Sequence, residues 1–105
     1  MKTKRILFSP DAFEDYKYWV EQDKKTLKRI NLLIDDICRN GNEGIGKPEL
    51  LKNDYAGFYS RRIDEKNRLI YKIEQDAIFI IACKTHYQDR SQRKEIDELS
   101  SFSFG

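Results

Sequence analysis

GFYSRRIDEKNRLIYKIEQDAIFIIACKTHY, residues 57–87, is the stretch on which the fold turns. It holds three segments that alternate apolar and polar residues, Gly57 to Ile63, Arg68 to Glu74 and Ala77 to Tyr87. A period of two marks strands whose side chains point alternately to opposite faces. Asp64-Glu65-Lys66-Asn67 and Gln75-Asp76 separate the segments with turn-forming residues, so the spacing predicts two consecutive hairpins. In the last segment strict alternation sets Phe79, Ile81 and Cys83 on one face and Ile78, Ile80 and Ala82 on the other. Both faces are apolar, which predicts a central strand.

Upstream, Lys4 to Phe8 is a short β-prone run with Ile6 and Phe8 on one face. Ser9 follows as an N-cap, Pro10 suits the first helical position, and Asp11 lies beside the positive end of the helix dipole. Phe13, Tyr16 and Val20 recur at helical spacing, so a helix is predicted over 10–22. Asp23 reads as a second N-cap, after which Leu27, Ile30, Ile34, Ile37 and Cys38 run to a stop at Asn40-Gly41. The two helices form an antiparallel hairpin with almost no linker, and Lys24, Lys25, Lys28 and Arg29 fall on its solvated face. Strand, two helices and three strands make an α+β domain over residues 1–87, with the helices on one face of a mostly antiparallel sheet. Residues 88–105 are polar, with Ile96, Leu99, Phe102 and Phe104 as their apolar members, and read as a mobile C-terminal extension.

The composition excludes several classes. With 105 residues, 36% of them charged and 39% hydrophobic, the chain has one modest core and is too apolar to be disordered. No apolar run is long enough to span a bilayer, and the N-terminus lacks the apolar core of a signal peptide, so a cytoplasmic protein is expected. Cys38 and Cys83 are far apart and read as buried thiols. With one histidine in the chain, a zinc site would lack ligands, and no metal or cofactor is expected.

Charge gathers in the middle. Lys47, Lys52, Arg61, Arg62, Lys66, Arg68 and Lys72 face only Glu49, Asp54, Asp64 and Glu65 between Gly44 and Lys72, and Tyr55, Phe58 and Tyr59 are interleaved. Cations meet phosphates and rings meet bases in proteins that hold flexible nucleic acid, although these rings fit a core equally well. Cutting RNA without a metal takes a base for the 2′-OH proton, a cation for the phosphate oxygens and an acid for the leaving 5′ oxygen. Glu49 on its Gly-x-Gly-Lys-Pro-Glu loop, Arg68 with Arg61 or Arg62, and His86 form one such set. Arg61 and Arg62 face opposite ways on a strand, so only one of them reaches a shared site. Arg68 opens one strand and His86 closes the next, which makes them neighbours in an antiparallel pair. A non-catalytic RNA-binding domain fits these residues nearly as well.

GKPE-LLK, GFYSRRI, the Glu-x-x-Arg-Leu-Ile-Tyr run of Glu65 to Tyr71, the Ala82 to Tyr87 ending and the SPDAFEDYKYW helix start together resemble a YoeB-type toxin of the RelE superfamily, over residues 5–87. The resemblance implies a RelE-like toxin of a bacterial type II toxin–antitoxin pair that enters the A site of the 70S ribosome and cuts mRNA. It also implies a YefM-like antitoxin whose disordered tail folds over the toxin, and it allows a homodimer. Position by position, Glu49 matches the family's general base, Arg68 the arginine of the transition state, His86 the general acid and Tyr87 the tyrosine that orients the site. Arg62 matches a second phosphate-contacting arginine, with Lys52 as a basic contact beside it. The family usually stops near the His-Tyr pair, whereas eighteen residues follow Tyr87 here; the extension is expected to leave activity intact. A protein-directed toxin on the same scaffold, like the ParE branch that poisons gyrase, has no need of the Glu, Arg and His set. A catalytically dead interaction module would bind antitoxin without arresting growth.

Overall fold

Ser9 and Pro10 start the first helix as their chemistry dictates. In the computed structural model, which describes residues 4–85, strand β1 (Arg5–Phe8) runs straight into helix α1 (Pro10–Gln22). The Ser9 side chain accepts the Ala12 amide at 3.1 Å, and proline stands at the first position, where its missing N–H has no intrahelical partner to lose. Asp23 alone separates α1 from α2 (Lys24–Asn40), capping the second helix through the Thr26 amide at 3.1 Å. Gly41, at φ 70°, ends α2.

The chain then returns through a glycine-rich loop to β2 (Glu49–Leu50), a 3₁₀ turn (Asn53–Tyr55), β3 (Tyr59–Arg62), β4 (Arg68–Glu74) and β5 (Ala77–Thr85). The sheet order is β1-β5-β4-β3-β2, with β1 parallel to β5 and every other pair antiparallel. β5 is therefore interior, as its two apolar faces predict. The two-residue β2 carries too little pattern to be seen in sequence; it exists because its backbone pairs with Tyr59 and Ser60.

The helices cover one face. Ala12, Trp19, Ile30, Leu33, Ile34 and Ile37 pack on Leu69, Tyr71, Ile78, Ile80 and Cys83. Three expectations are corrected here. Phe13 is 49% and Val20 39% exposed, while Ala12 and Trp19 are buried. The apolar stripe of α1 is thus rotated by about one residue, because the large indole fills more of the core than Val20 would. The alternation along β5 also breaks. The pairings Tyr71↔Ile80, Ile70↔Ala82 and Arg68↔Thr85 contain two register shifts, so β5 carries extra residues relative to β4. Parity inverts at the first, and Cys83 joins Ile78 and Ile80 on the helix side, while Ile81 and Ala82 pack on the other face against Leu51, Tyr55 and Ile70. Cys38 is only half-buried, unlike Cys83.

Arg61 is the densest polar node. It is 0% exposed, and its Nε donates to the Tyr71 hydroxyl at 3.2 Å. Nη1 donates to Asp36 Oδ2 and to the Ile45 carbonyl, and Nη2 to the carbonyls of Gly41 and Glu43 at 2.6 and 3.1 Å. All the N–H donors of the guanidinium are thereby used. The loop closes so tightly around the pair that a Cβ on Gly44, at φ 133°, would collide with the Asp36 carboxylate. The Arg61 hydrogen bond, with those from the Ile45 amide and Asn40, holds the Asp36 carboxyl below its ordinary 3.8. A depressed carboxylate contributes stability above its unfolded pKa and loses it as pH falls through the folded value. Asp36→Asn is accordingly expected to flatten the fall in stability below about pH 4. Thermal melts between pH 2 and 7 check this, and an unchanged acid limb would refute it.

Candidate active site

The face of the sheet away from the helices gathers the charged residues. Directly paired residues of antiparallel strands project to the same side. Glu49 pairs with Ser60, Ser60 with Ile70, and Arg62 with Arg68. Glu49, Arg62 and Arg68 therefore share one face, floored by the apolar cluster of Leu51, Tyr55 and Ile70 with Phe58 packed against it. Tyr55 and Phe58 belong to that floor, and Tyr59 packs on the helix side, so all three rings are packing residues. Lys72 sits over the Phe58 ring at 5.3 Å on the open face.

Each charged side chain is placed by its element. Glu49 and Arg62 are exposed, and Lys52 is exposed at the entrance to the 3₁₀ turn. Lys47, just before Pro48 and Glu49, has φ 50°, a conformation uncommon outside glycine and disfavoured before proline. Arg29 Nη2 donates to the Arg62 carbonyl at 3.0 Å, tying the end of β3 to α2. Arg68 folds back over its own turn, Nη1 donating to the carbonyls of Asp64 and Asn67 at 2.9 and 3.2 Å. Among the described residues these bonds use Nη1 alone. Asp64 accepts the amides of Lys66 and Asn67 at 2.8 and 2.6 Å, which builds that turn. Burial pushes its carboxyl up, but these bonds, the Asn67 side chain and nearby Arg68 outweigh burial and hold it below the ordinary value.

The choice between adjacent arginines is decided here. Arg61 points into the helix side and is fully engaged, leaving Arg62 on the open face. The backbone of Arg68 pairs with Thr85 at the end of β5, the neighbour relation the topology argument required of that strand end. His86 and Tyr87 lie outside the described residues, as do residues 88–105. Among the described residues no helix is long and apolar enough to cross a membrane.

Comparison with known proteins shows the family. The profile of the family described as "YoeB-like toxin of bacterial type II toxin-antitoxin system" matches residues 8–87. The chain belongs to the YoeB-like toxin family. Toxin YoeB of Streptomyces coelicolor is 49% identical over 83 residues, 79% of this chain and 99% of that toxin. Toxin YoeB of Escherichia coli K12 is 47% identical with the same coverage. Among solved structures, the YoeB–YefM heterotetramer from Staphylococcus aureus contains a chain 54% identical, with a TM-score of 0.76 over 80% of this chain and 98% of that one. The RelE-like arrangement of strand, helical hairpin and antiparallel strands is thus shared with YoeB structures. Residues 88–105 fall beyond the family match.

Two features of this YoeB-like chain escaped the sequence reading. One is Asp36, whose helical position gives no hint that it faces Arg61. The other is the pair Asp15 and Trp19, which bond the backbone of Cys83 at 3.0 and 2.8 Å. A carboxylate four residues before an indole in the SPDAFEDYKYW segment was the only signal for it.

Proposed function

We propose that this toxin is a ribosome-dependent endoribonuclease that cuts mRNA in the ribosomal A site and so stops translation. The observation that carries the reading is the register that sets Glu49, Arg62 and Arg68 on one open face, in a chain of this family. With strands about 4.8 Å apart and about 3.3 Å per residue, Glu49 and Arg68 have Cα atoms on the order of 12 Å apart. A glutamate and an arginine reaching inward across that gap meet around one nucleotide.

Glu49 takes the proton of the ribose 2′-OH, and the oxygen so freed attacks the adjacent phosphorus. Arg68 and Arg62 carry the charge that grows on the non-bridging oxygens. The bond from phosphorus to the 5′ oxygen breaks, and His86 gives that oxygen its proton. The products are a 2′,3′-cyclic phosphate and a 5′-hydroxyl, and no metal or cofactor is required. Tyr87 orients His86 and the substrate, while Lys52 contacts the RNA backbone. Residues 1–87 form the toxin domain, and residues 88–105 an extension dispensable for cleavage.

A ribosome would supply a fixed geometry that a flexible mRNA strand lacks. A concavity of about 470 Å³, lined by residues including Arg5, Glu74, Asp76 and Phe79, is at the far end of β4 from Arg68. The open face has charge and an apolar floor. Orientation is worth many kcal/mol in such a reaction, and a ribosome holding mRNA in the A site supplies it. The ribosome also sets the location, the bacterial cytoplasm. Its control partner is a YefM-like antitoxin, and self-association into a dimer is expected, as solved relatives include a YoeB–YefM complex and a YoeB dimer.

The test compares mRNA alone with mRNA on 70S ribosomes. Cuts ending in 2′,3′-cyclic phosphate are expected only on ribosomes, and are abolished by prior mixing with the antitoxin. Equal cutting of free mRNA would overturn the ribosome dependence; absence of cutting in both arms, with growth still arrested on expression, would overturn the nuclease reading.

A further inference from the structure

β5 outlasts its neighbour. β1 pairs with it only from Arg5↔Ala77 to Phe8↔Ile80, after which the chain departs into α1. The backbone of β5 from Ile81 to Thr85 is left without a strand on that side, and buried backbone groups need partners. α1 supplies them through its entrance and its side chains. The Ser9 amide donates to the Ile80 carbonyl at 2.9 Å and the Ser9 hydroxyl to the Ile81 carbonyl at 3.4 Å. Asp15 Oδ2 accepts the Cys83 amide at 3.0 Å, and Trp19 Nε1 donates to the Cys83 carbonyl at 2.8 Å.

The place where Asp15 and Trp19 act is special. Between the pairings Ile70↔Ala82 and Arg68↔Thr85, β4 has only Leu69 while β5 has Cys83 and Lys84. Two residues opposite one make a bulge, a device that bends a strand and re-aims the residues after it. The helix grips both polar groups of Cys83 at that bend. Burial raises the Asp15 carboxyl above its ordinary value, against the pull of the Cys83 amide and of Lys84 and with Asp11 adding to the rise. Asp15 thus bears a desolvation cost where a smaller residue would avoid it.

We infer that Asp15 and Trp19 are positioning residues for cleavage: α1 acts as a surrogate strand that clamps the β5 bulge, and so sets the direction in which the chain leaves toward His86, three residues beyond Cys83. The inference rests on the ribonuclease reading. It explains why an acid and an indole, neither of which touches the open face, occur at this spacing on α1.

The experiment uses the full chain on mRNA-programmed 70S ribosomes, with Asp15→Ala, Asp15→Asn, Trp19→Phe and Arg68→Ala. A misdirected catalytic group loses turnover rather than binding, so kcat is expected to fall about ten- to a hundredfold in Asp15→Ala and Trp19→Phe with KM within twofold. Asp15→Asn restores most of kcat, because its side-chain oxygen still accepts the Cys83 amide. In parallel, exchange of the Cys83 amide with solvent quickens at least tenfold in Asp15→Ala while the amides of β3 stay protected. Trp19→Phe keeps the ring and decides the matter should Asp15→Ala fail to fold. Unchanged kcat in Asp15→Ala and Trp19→Phe, with Arg68→Ala inactive, overturns the clamp alone. So does an Asp15→Asn variant as poor as Asp15→Ala. Full activity in Arg68→Ala overturns the assignment of Arg68 to the reacting phosphate, whereas no cleavage by the unsubstituted chain overturns the ribonuclease reading and the clamp with it.

Discussion

Arg68→Ala is expected to lower single-turnover cleavage of ribosome-bound mRNA by about a hundred- to a thousandfold, the usual cost of removing one preorganised donor from a developing oxyanion. Glu49→Gln is expected to lower it by about 10²–10⁴, because an amide could not serve as the proposed base for the 2′-OH proton. Neither change should disturb the fold. Glu49 is exposed on a two-residue edge strand, and among the described residues Arg68 bonds carbonyls of its own turn through Nη1. Arg68→Lys is expected to recover only part of the loss, since an ammonium lacks the planar fork. Cleavage rates and melting temperatures measured together check this. Wild-type rates in both Arg68→Ala and Glu49→Gln would move the active site off the open face.

Two adjacent arginines are expected to behave in opposite ways. Arg61→Ala leaves the Asp36 carboxylate and the carbonyls of Gly41, Glu43 and Ile45 without their donor. Removing one partner of a buried ion pair costs about 3–5 kcal/mol, and whole domains have only about 5–15 to lose. The melting temperature should therefore drop by more than about 10 °C in a domain of this size. Arg61→Lys falls between, as one ammonium cannot reach all five acceptors. Arg62 is exposed, so Arg62→Ala should change stability by no more than about 0.5 kcal/mol while weakening cleavage. Thermal denaturation of both variants beside the cleavage assay separates them. A stable Arg61→Ala protein, or an unfolded Arg62→Ala one, would show that the two arginines have been assigned to the wrong faces.

The legibility of this chain varied with the range of the interactions involved. Ser9, Pro10, Asp23 and Gly41 act within one turn of their own positions, and each caps or ends its helix as its sequence implies. The Asp64 to Asn67 turn is equally local, since one carboxylate collects the next amides. β2 was invisible because two residues carry no period, and α1 was misread by one position because Trp19 and Val20 both look apolar. The bulges in β5 were also hidden: nothing in AIFIIACKT distinguishes a strand with constant parity from one that inverts it at Ile81. For the candidate site, residue types named Glu49, Arg62 and Arg68, and register alone brought them to one face.

By itself, then, the amino-acid order determined the α+β class, the helical hairpin, the strands β3 to β5 and the kinship of residues 5–87 to YoeB-type toxins, because caps, turns and side-chain period are written in neighbouring residues. Tertiary structure decided which arginine is buried and which is exposed, where the parity of β5 inverts, and that Asp15 and Trp19 stand in for a missing strand. Those outcomes depend on partners 25 to 68 residues apart in sequence, Arg61 with Asp36 and Cys83 with Asp15. Only packing the helices on the sheet tells such a side chain which polar group it must satisfy.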